Sequence, residues 1–191
     1  VGFVASNYAV GSGQIDIDAA YKNARFIRFC NLYNIPMIFM EDTTGFLPGS
    51  EQESRGIVQA GRAMLDATID LRTPRFLVIV RNAIGGAYTS YNNYHTGTDL
   101  VIGLPTARVA VMGPPGVEFV YKDEIRALRA DAKNHEPAWL AQEEAKLATR
   151  YEQELMNTNE ALSLGSISHM VMPDDLRSVL SEHLKFHLDH Y

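Results

Sequence analysis

Short apolar runs alternate along the chain with longer segments in which apolar positions recur every three or four residues. Short runs bounded by turn residues are typical of buried strands, whereas the wider spacing is typical of helices that are apolar on one face. Strands are therefore predicted at 1–10, 36–40, 75–80, 100–105, 108–113 and 169–172. Helices are predicted at 16–34, 51–70, about 117–131, 137–156 and after Pro173, with Asp16 or Asp18 capping the first.

The predicted strands are apolar on both faces and alternate with helices, a pattern that indicates an α/β fold with helices packed against a largely parallel sheet. The break at Pro114–Gly116 marks a change from this alternation to a helical segment. We expect one domain spanning 1–191, with a core at about 1–116 and a peripheral helical extension at about 117–191.

Composition narrows the classes of function. The 191 residues include 17 Lys and Arg and 23 Asp and Glu, which gives a net charge of −6. Such a chain has no basic excess to displace the counterions of a nucleic acid, so no nucleic-acid partner is expected. No apolar run reaches the roughly 18–20 residues that span a bilayer, and the start is not a signal peptide, so no membrane partner is expected.

The lone cysteine, Cys30, excludes an intrachain disulfide and favours a reducing compartment, and we expect it to be a small core residue. Since the chain begins at Val1 on a strand-like run, we expect a processed chain or one piece of a longer protein.

The strongest local motif is RNAIGGAY at 81–88, which follows a strand and opens a helix. Two glycines at such a turn allow positive φ angles and close approach of a ligand. The first amides of the next helix have no intrahelical acceptor, so they can form an anion site or an oxyanion hole. Tight packing of the helix on the strand is the equally weighted alternative.

A second loop, DTTGFLPG at 42–49, also follows the carboxyl end of a strand. Ligands of open α/β folds gather at that edge of the sheet, so two glycine-bearing loops there are better evidence for a site than either alone. Taken alone, this loop is more simply a surface connection.

Other candidates have weaker functional interpretations. Arg81 beside Tyr88 could contact a phosphate or carbonyl of a ligand, or could line the rim of the core. Glu41 and Asp42 are adjacent carboxylates, for which acid–base catalysis, capping and solvation are all open. Three histidines on the last helix are close enough in sequence to bind a metal, but we expect a solvated face and no metal: His183, His187 and His190.

An aromatic tract at 88–95 is predicted on one helix, and packing is its more common role: Tyr88, Tyr91, Tyr94 and His95. The motifs of serine hydrolases, P-loop NTPases, classical dinucleotide enzymes and zincins are absent from the sequence. From the residues alone, the chain is an α/β domain with backbone amides that could stabilise an oxyanion.

Taken together, five segments in this order resemble the carboxyltransferase subunit of biotin-dependent acyl-CoA carboxylases, most of all the β-subunits of propionyl-CoA and acetyl-CoA carboxylase. They are ARFIRFC (24–30), NIPMIFMEDTTGFLPGSEQE (34–53), RGIV (55–58), PRFLVIVRNAIGGAY (74–88) and PTARVAVMGPPG (105–116). The likeness falls in the C-terminal of that subunit's two halves and covers nearly the whole chain.

The resemblance implies a crotonase-like ββα superhelix and carboxyl transfer between N1-carboxybiotin and the α-carbon of an acyl-CoA, without a dedicated side-chain base. By position, the amides of Gly86 and Ala87 would hold the biotin ureido oxygen, and losing such a donor costs about 3–4 kcal/mol of barrier. The biotin and substrate pocket would also include Thr44, Gly45, Phe46, Gly85, Tyr88 and Thr89.

The same resemblance implies biotin on a carrier domain as cofactor and a coenzyme A thioester as substrate. It implies four partners: the biotin carboxyl carrier domain, biotin carboxylase, an N-terminal carboxyltransferase half, and further copies of this chain in a trimer or hexamer. The implied location is the cytoplasm, or the mitochondrial matrix in a eukaryote.

Some residues depart from the family pattern. Thr43–Thr44 replaces the usual Val-Pro and is similar to the α-subunits of biotin-dependent decarboxylases, which run the transfer in reverse with a membrane sodium pump. Thr89 and Asn82 replace a common Asp and Lys near the substrate pocket. The acyl group therefore stays open.

Three alternatives to a carboxylase remain: the decarboxylase subunit, a stand-alone crotonase and a non-catalytic scaffold. A stand-alone hydratase is disfavoured because a pair of glutamates at the two loops is missing from the sequence, where nothing acidic follows the GGAY motif until Asp99.

Overall fold

The computed structural model describes residues 1–190, which form a six-stranded parallel sheet with helices on both faces. Its strands are β1 (Gly2–Ala5), β2 (Met37–Thr43), β3 (Arg75–Ile84), β4 (Leu100–Gly103), β5 (Arg108–Ala110) and β6 (His169–Met170). Their order is β1-β2-β3-β4-β6, with β5 paired to β3, and every pair is parallel. The predicted parallel α/β architecture is confirmed.

The helices complete the alternation that the sequence predicts. They are α1 (Ile17–Leu32), α2 (Ser50–Ser54), α3 (Ile57–Ile69), α4 (Gly85–Ser90), α5 (Val117–Val120), α6 (Lys122–Asp131), α7 (Trp139–Leu155), α8 (Thr158–Ser163) and α9 (Leu176–His190). As predicted, the Asp16 side chain caps α1, accepting a 2.7 Å hydrogen bond from the amide of Ala19.

The long strand β3 is the axis of the sheet. Along one edge, residues 76–79 pair with β4 and residues 82–84 pair with β5, while β2 pairs along the other edge. Because β3 continues beyond the β4 pairing, it carries the chain to the carboxyl edge, where α4 begins.

Each face of the sheet has its own apolar cluster. On one face, small residues of α1, α3 and α4, such as Ala24, Ala60 and Ala87, pack on strand residues that include Phe39 and Leu77. On the other, Phe76 and its neighbours pack against leucines of α9. Burial on both faces explains why the strands are apolar throughout. Cys30 is buried in the first cluster, as expected.

Several predicted boundaries were wrong. The strand at 1–10 ends at Ala5, and the helix at 51–70 is broken before α3, where Gly56 has a φ of +94°. Residues 82–84, predicted as a turn, belong to β3, because they pair with β5. Helix α8 was missed, since its six residues are too few to show a helical period.

The aromatic tract at 88–95 does not lie on one helix, contrary to the prediction. Helix α4 ends at Ser90, and residues Tyr94–Thr96 form a separate 3-10 turn opened by Asn93. The Asn93 side chain accepts a hydrogen bond from the amide of Thr96, so local capping overrides the spacing that suggested a continuous helix.

The segment after residue 116 is integrated with the sheet. Three sets of contacts tie it in: β6 pairs with β4, α9 covers one face, and residues of α5–α7 form a third cluster around Ile84. The boundary near 116 between core and extension stays a prediction.

Glu41 is a fully buried carboxyl on β2, with no accessible surface. Within residues 1–190, neither of its carboxyl oxygens has a hydrogen-bond partner. Burial is the main reason that its pKa is raised well above the ordinary value, and the nearby charge of Asp42 adds to the rise. Burial therefore favours the protonated, neutral form of Glu41 in the folded protein.

We expect the free energy of unfolding to fall as pH rises above the ordinary glutamate pKa. Above that value the unfolded chain loses a proton that folded Glu41 keeps, which favours unfolding by ~1.4 kcal/mol per pH unit until the raised pKa is reached. Glu41→Gln cannot ionise and should lack this component. Urea unfolding of both proteins, from about pH 5 to about pH 8, measures the difference.

Glu51→Gln is the matched control, because the Glu51 side chain is exposed and pairs only with Arg55. It should follow the pH profile of the unaltered chain. Identical profiles for the Glu41 variant and the unaltered chain would contradict a neutral Glu41.

Candidate active site

Two loops meet at the carboxyl edge of the sheet, after β2 and after β3. The strands stay paired almost to their ends, where Thr43 lies opposite Ala83, and the register shifts between Glu41 and Thr43. Since adjacent parallel strands end at the same edge, the 42–49 loop and the GG turn at 85–86 are brought side by side, as predicted.

Asp42 lies at this register shift and joins the two strand ends. Its Oδ1 accepts hydrogen bonds from the backbone amide and the side-chain amide of Asn82, at 3.1 and 3.0 Å. Its Oδ2 pairs with Arg81 Nη2 at 3.0 Å, and that guanidinium lies 3.9 Å from the ring centroid of Tyr8. The Asp42 and Arg81 side chains, whose roles the sequence left open, therefore both help to position the 42–49 loop.

The GG turn has the strained backbone that its glycines allow. Gly85 has a φ of +66°, and a Cβ added there would lie 3.3 Å from the carbonyl oxygen of Val111. The Ser90 hydroxyl donates a 3.0 Å hydrogen bond to the carbonyl of Gly86. The amides of Gly86 and Ala87 lie in the first turn of α4, where a helix has no acceptor for them.

The 44–46 loop packs behind this turn. Gly45 is held by its neighbours: its amide donates to the Thr43 hydroxyl at 3.2 Å, and its carbonyl accepts from the amide of Ile15 at 3.0 Å. The ring of Phe46 lies between α3 and the turn, 3.9 Å from the place where a Gly86 Cβ would be.

A cavity of about 640 Å³ opens in front of the GG turn. Four of the predicted site residues line it: Gly85, Gly86, Tyr88 and Thr89. None of its described lining residues comes from the 44–46 loop, which reaches the turn from behind through Phe46.

The remaining walls come from residues that the sequence did not predict to line a site, among them His95 of the aromatic tract. They are Asn93, His95, Val109, Ala110, Val111, Val120, Tyr151, Leu155, Glu160, Ala161, Leu164 and Ser166. Residues about 60 to 80 positions apart carry no local pattern that would place them together.

Tyr88 joins the turn to this distant wall. Its hydroxyl donates to the carbonyl of Ser166 at 3.4 Å. Burial raises the pKa of Tyr88 to about 12. The phenol is therefore neutral near neutral pH and holds its proton.

The three candidate histidines of α9 do not line this cavity. The ring of His187 packs against Phe76, and the ring of His190 stacks on Phe186. Throughout the described residues, no group of three or more His, Cys, Asp or Glu side chains could hold a metal ion. Nor is any helix of the described chain long and apolar enough to cross a membrane.

Comparison with known proteins matches the chain to one family along its length. The profile of the carboxyl transferase domain matches residues 1–190. The carboxyltransferase subunit of propionyl-CoA carboxylase from Haloferax mediterranei is 39% identical over 187 residues, 97% of this chain and 34% of that protein. The methylmalonyl-CoA decarboxylase subunit alpha of Propionigenium modestum is 38% identical over 178 residues, 93% of this chain and 33% of that protein.

Solved structures agree with these relatives. The hexameric transcarboxylase 12S, solved with methylmalonyl-coenzyme A and methylmalonic acid bound, has a TM-score of 0.88 and 32% identity. The match covers 99% of this chain and 35% of that one, so the chain spans about a third of the relatives it matches. The resemblance seen in the sequence and the expected crotonase-like fold are confirmed, and the chain belongs to the carboxyl transferase domain family.

Proposed function

We propose that this chain supplies the biotin-side half of a carboxyltransferase site, which moves a carboxyl group between N1-carboxybiotin and the α-carbon of an acyl-CoA. The proposal rests on the position of the GG turn. Its backbone amides lie in the first turn of a helix, beside a cavity of about 640 Å³. Backbone donors fixed at such a turn suit an oxygen that gains negative charge during transfer.

The residues present fit a bound biotin ring. The two glycines have no side chains, so the backbone itself forms that part of the cavity wall. The volume of the cavity is within the range of small-molecule sites. When bound, biotin would supply a ureido nitrogen that carries the carboxyl group and an oxygen that needs hydrogen-bond donors.

In this proposal the residues of the chain bind and orient, and no side chain acts as a base. The amides of Gly86 and Ala87 hold the oxygen, while Ser90 fixes the turn and Phe46 supports it from behind. Gly85, Tyr88 and Thr89 line the cavity, and Thr44 and Gly45 shape the loop that carries Phe46. Tyr88 stays neutral, so it adds no negative charge beside that oxygen.

The site would be completed by a further carboxyltransferase half, because the relatives are about three times as long as this sequence. We infer an N-terminal carboxyltransferase half that binds most of the coenzyme A. A biotin carboxyl carrier domain and biotin carboxylase would deliver the carboxyl group. The hexameric transcarboxylase supports assembly of this chain into trimers or hexamers, and the cytoplasm is the proposed location.

The decarboxylase direction is the second candidate, since one relative is a methylmalonyl-CoA decarboxylase subunit alpha at 38% identity. The same site would then take the carboxyl group from the acyl-CoA and pass it to biotin. The two candidate functions differ in the net direction of carboxyl transfer. A test for acyl-CoA carboxylation that depends on ATP and biotin carboxylase therefore distinguishes them.

We expect the chain to be inactive alone and active when mixed with a separately expressed N-terminal half. Each half contributes part of the site, so decarboxylation of malonyl-CoA and methylmalonyl-CoA with free biotin should appear only in the mixture. Sedimentation velocity on the same samples reports the complex and its size. A complex that forms but turns over neither thioester would favour a scaffold.

We expect Gly86→Val to reduce this activity about 100-fold or more, the size of effect seen when an oxyanion donor is lost. The new side chain would obstruct the amides, whereas a Cβ at Gly86 meets only Phe46 ring atoms at 3.9 Å, so the fold should survive. Steady-state kinetics and thermal unfolding of the complex measure the two effects.

Ala130→Val is the control, because it places the same valine side chain at an exposed position of α6, away from the cavity. Activity in the Gly86 variant equal to that of this control would rule out a role for the turn.

A further inference from the structure

The cavity in front of the GG turn has walls of different chemistry. The helix that follows the turn contributes Thr89, and the adjoining segment contributes Asn93 and His95. The opposite walls, from the end of β5 and from α5, α7 and α8, are mainly aliphatic. A ligand that spans the cavity would meet polar groups beside the amides and hydrocarbon beyond them.

The aliphatic side chains of these walls are exposed although they converge on one cavity. Val111 is 87% exposed and Leu164 is 72% exposed, and Val120 and Leu155 are also exposed. Single exposed apolar side chains are ordinary, whereas a cluster that rims a cavity is typical of a binding surface.

The two tyrosine hydroxyls near this wall already have hydrogen-bond partners. The Tyr88 hydroxyl donates to the carbonyl of Ser166, and the Tyr151 hydroxyl donates to the carbonyl of Met112 at 2.9 Å. Both tyrosines therefore present ring surface to the cavity. Glu160 is the one carboxylate among the described lining residues, and it would repel a ligand that ends in a second carboxylate.

We propose that the aliphatic wall around Val111 and Leu164 binds the acyl chain of the substrate, and that this enzyme prefers uncharged acyl groups longer than propionyl. The inference rests on the proposed carboxyl transfer, which requires the α-carbon to come within bonding distance of a carboxyl group held at the GG turn. The chain beyond the α-carbon must then lie in the same cavity, and burial on the aliphatic wall gains free energy with each methylene.

The test is a series of 2-alkylmalonyl-CoA substrates decarboxylated by the complex of this chain with its N-terminal half. The alkyl groups are methyl, ethyl, butyl and hexyl. We expect kcat/KM to rise by up to about fourfold per methylene, the effect of burying one such group. A substrate whose alkyl group ends in a carboxylate should be turned over more slowly than the neutral one of equal length.

Leu164→Trp places a bulky ring on the wall and should lower the ratio of hexyl to methyl kcat/KM about tenfold or more. Leu32→Trp is the matched control, because Leu32 is 75% exposed on α1, outside the cavity, and should leave the ratio unchanged. Sedimentation of both variants reports whether assembly changes.

A profile that stays flat or falls with chain length, with methylmalonyl-CoA still turned over, would overturn this inference and leave the proposed function intact. Disrupted assembly of the Leu164 variant with an unchanged ratio would assign the wall to a subunit contact and also overturn it. No turnover of any member would count against the proposed function itself.

Discussion

The Asp42 carboxylate holds together the ends of the two central strands, and the candidate site depends on this contact. One of its oxygens accepts hydrogen bonds from the backbone amide and the side-chain amide of Asn82, and the other forms an ion pair with Arg81. The register shift in β2 is what places this side chain against β3. Without the Asp42 carboxylate, the backbone amide of Asn82 at the end of β3 would lose its partner just before the GG turn. An unpaired buried donor costs about 1–3 kcal/mol of stability.

Around the turn, the structure keeps negative charge away from the place where the reaction would create it. Glu41 and Tyr88 are both acidic groups near α4, yet burial raises the pKa of each, which favours the neutral form of both. A carboxylate in that position would oppose a bound oxyanion through a region of low dielectric constant. Burial of Glu41 lowers the free energy of unfolding when the pH is above the ordinary glutamate pKa. The same burial suits the chemistry proposed at Gly86.

The cavity is lined by two parts of the chain that differ in secondary structure. The GG turn is fixed by β3 and its neighbours in the sheet, whereas the facing wall comes from short strands and helices beyond residue 107. Tyr88 links these parts by donating a hydrogen bond to the backbone carbonyl of Ser166, while the Tyr151–Met112 hydrogen bond lies within the second part. Under the proposed function, one part would hold the reacting groups while the other would determine which substrate fits.

The sequence by itself determined the fold class, because strands buried on both faces need continuous apolar runs, and these alternate with helical periods. It also identified Gly85, Gly86 and the 42–49 loop, since turn chemistry is local. Only the tertiary structure decided what these residues face. Contacts between residues far apart leave no local pattern, so the buried Glu41, the Asp42 contact and the wall formed by Val111 and Leu164 required the folded chain.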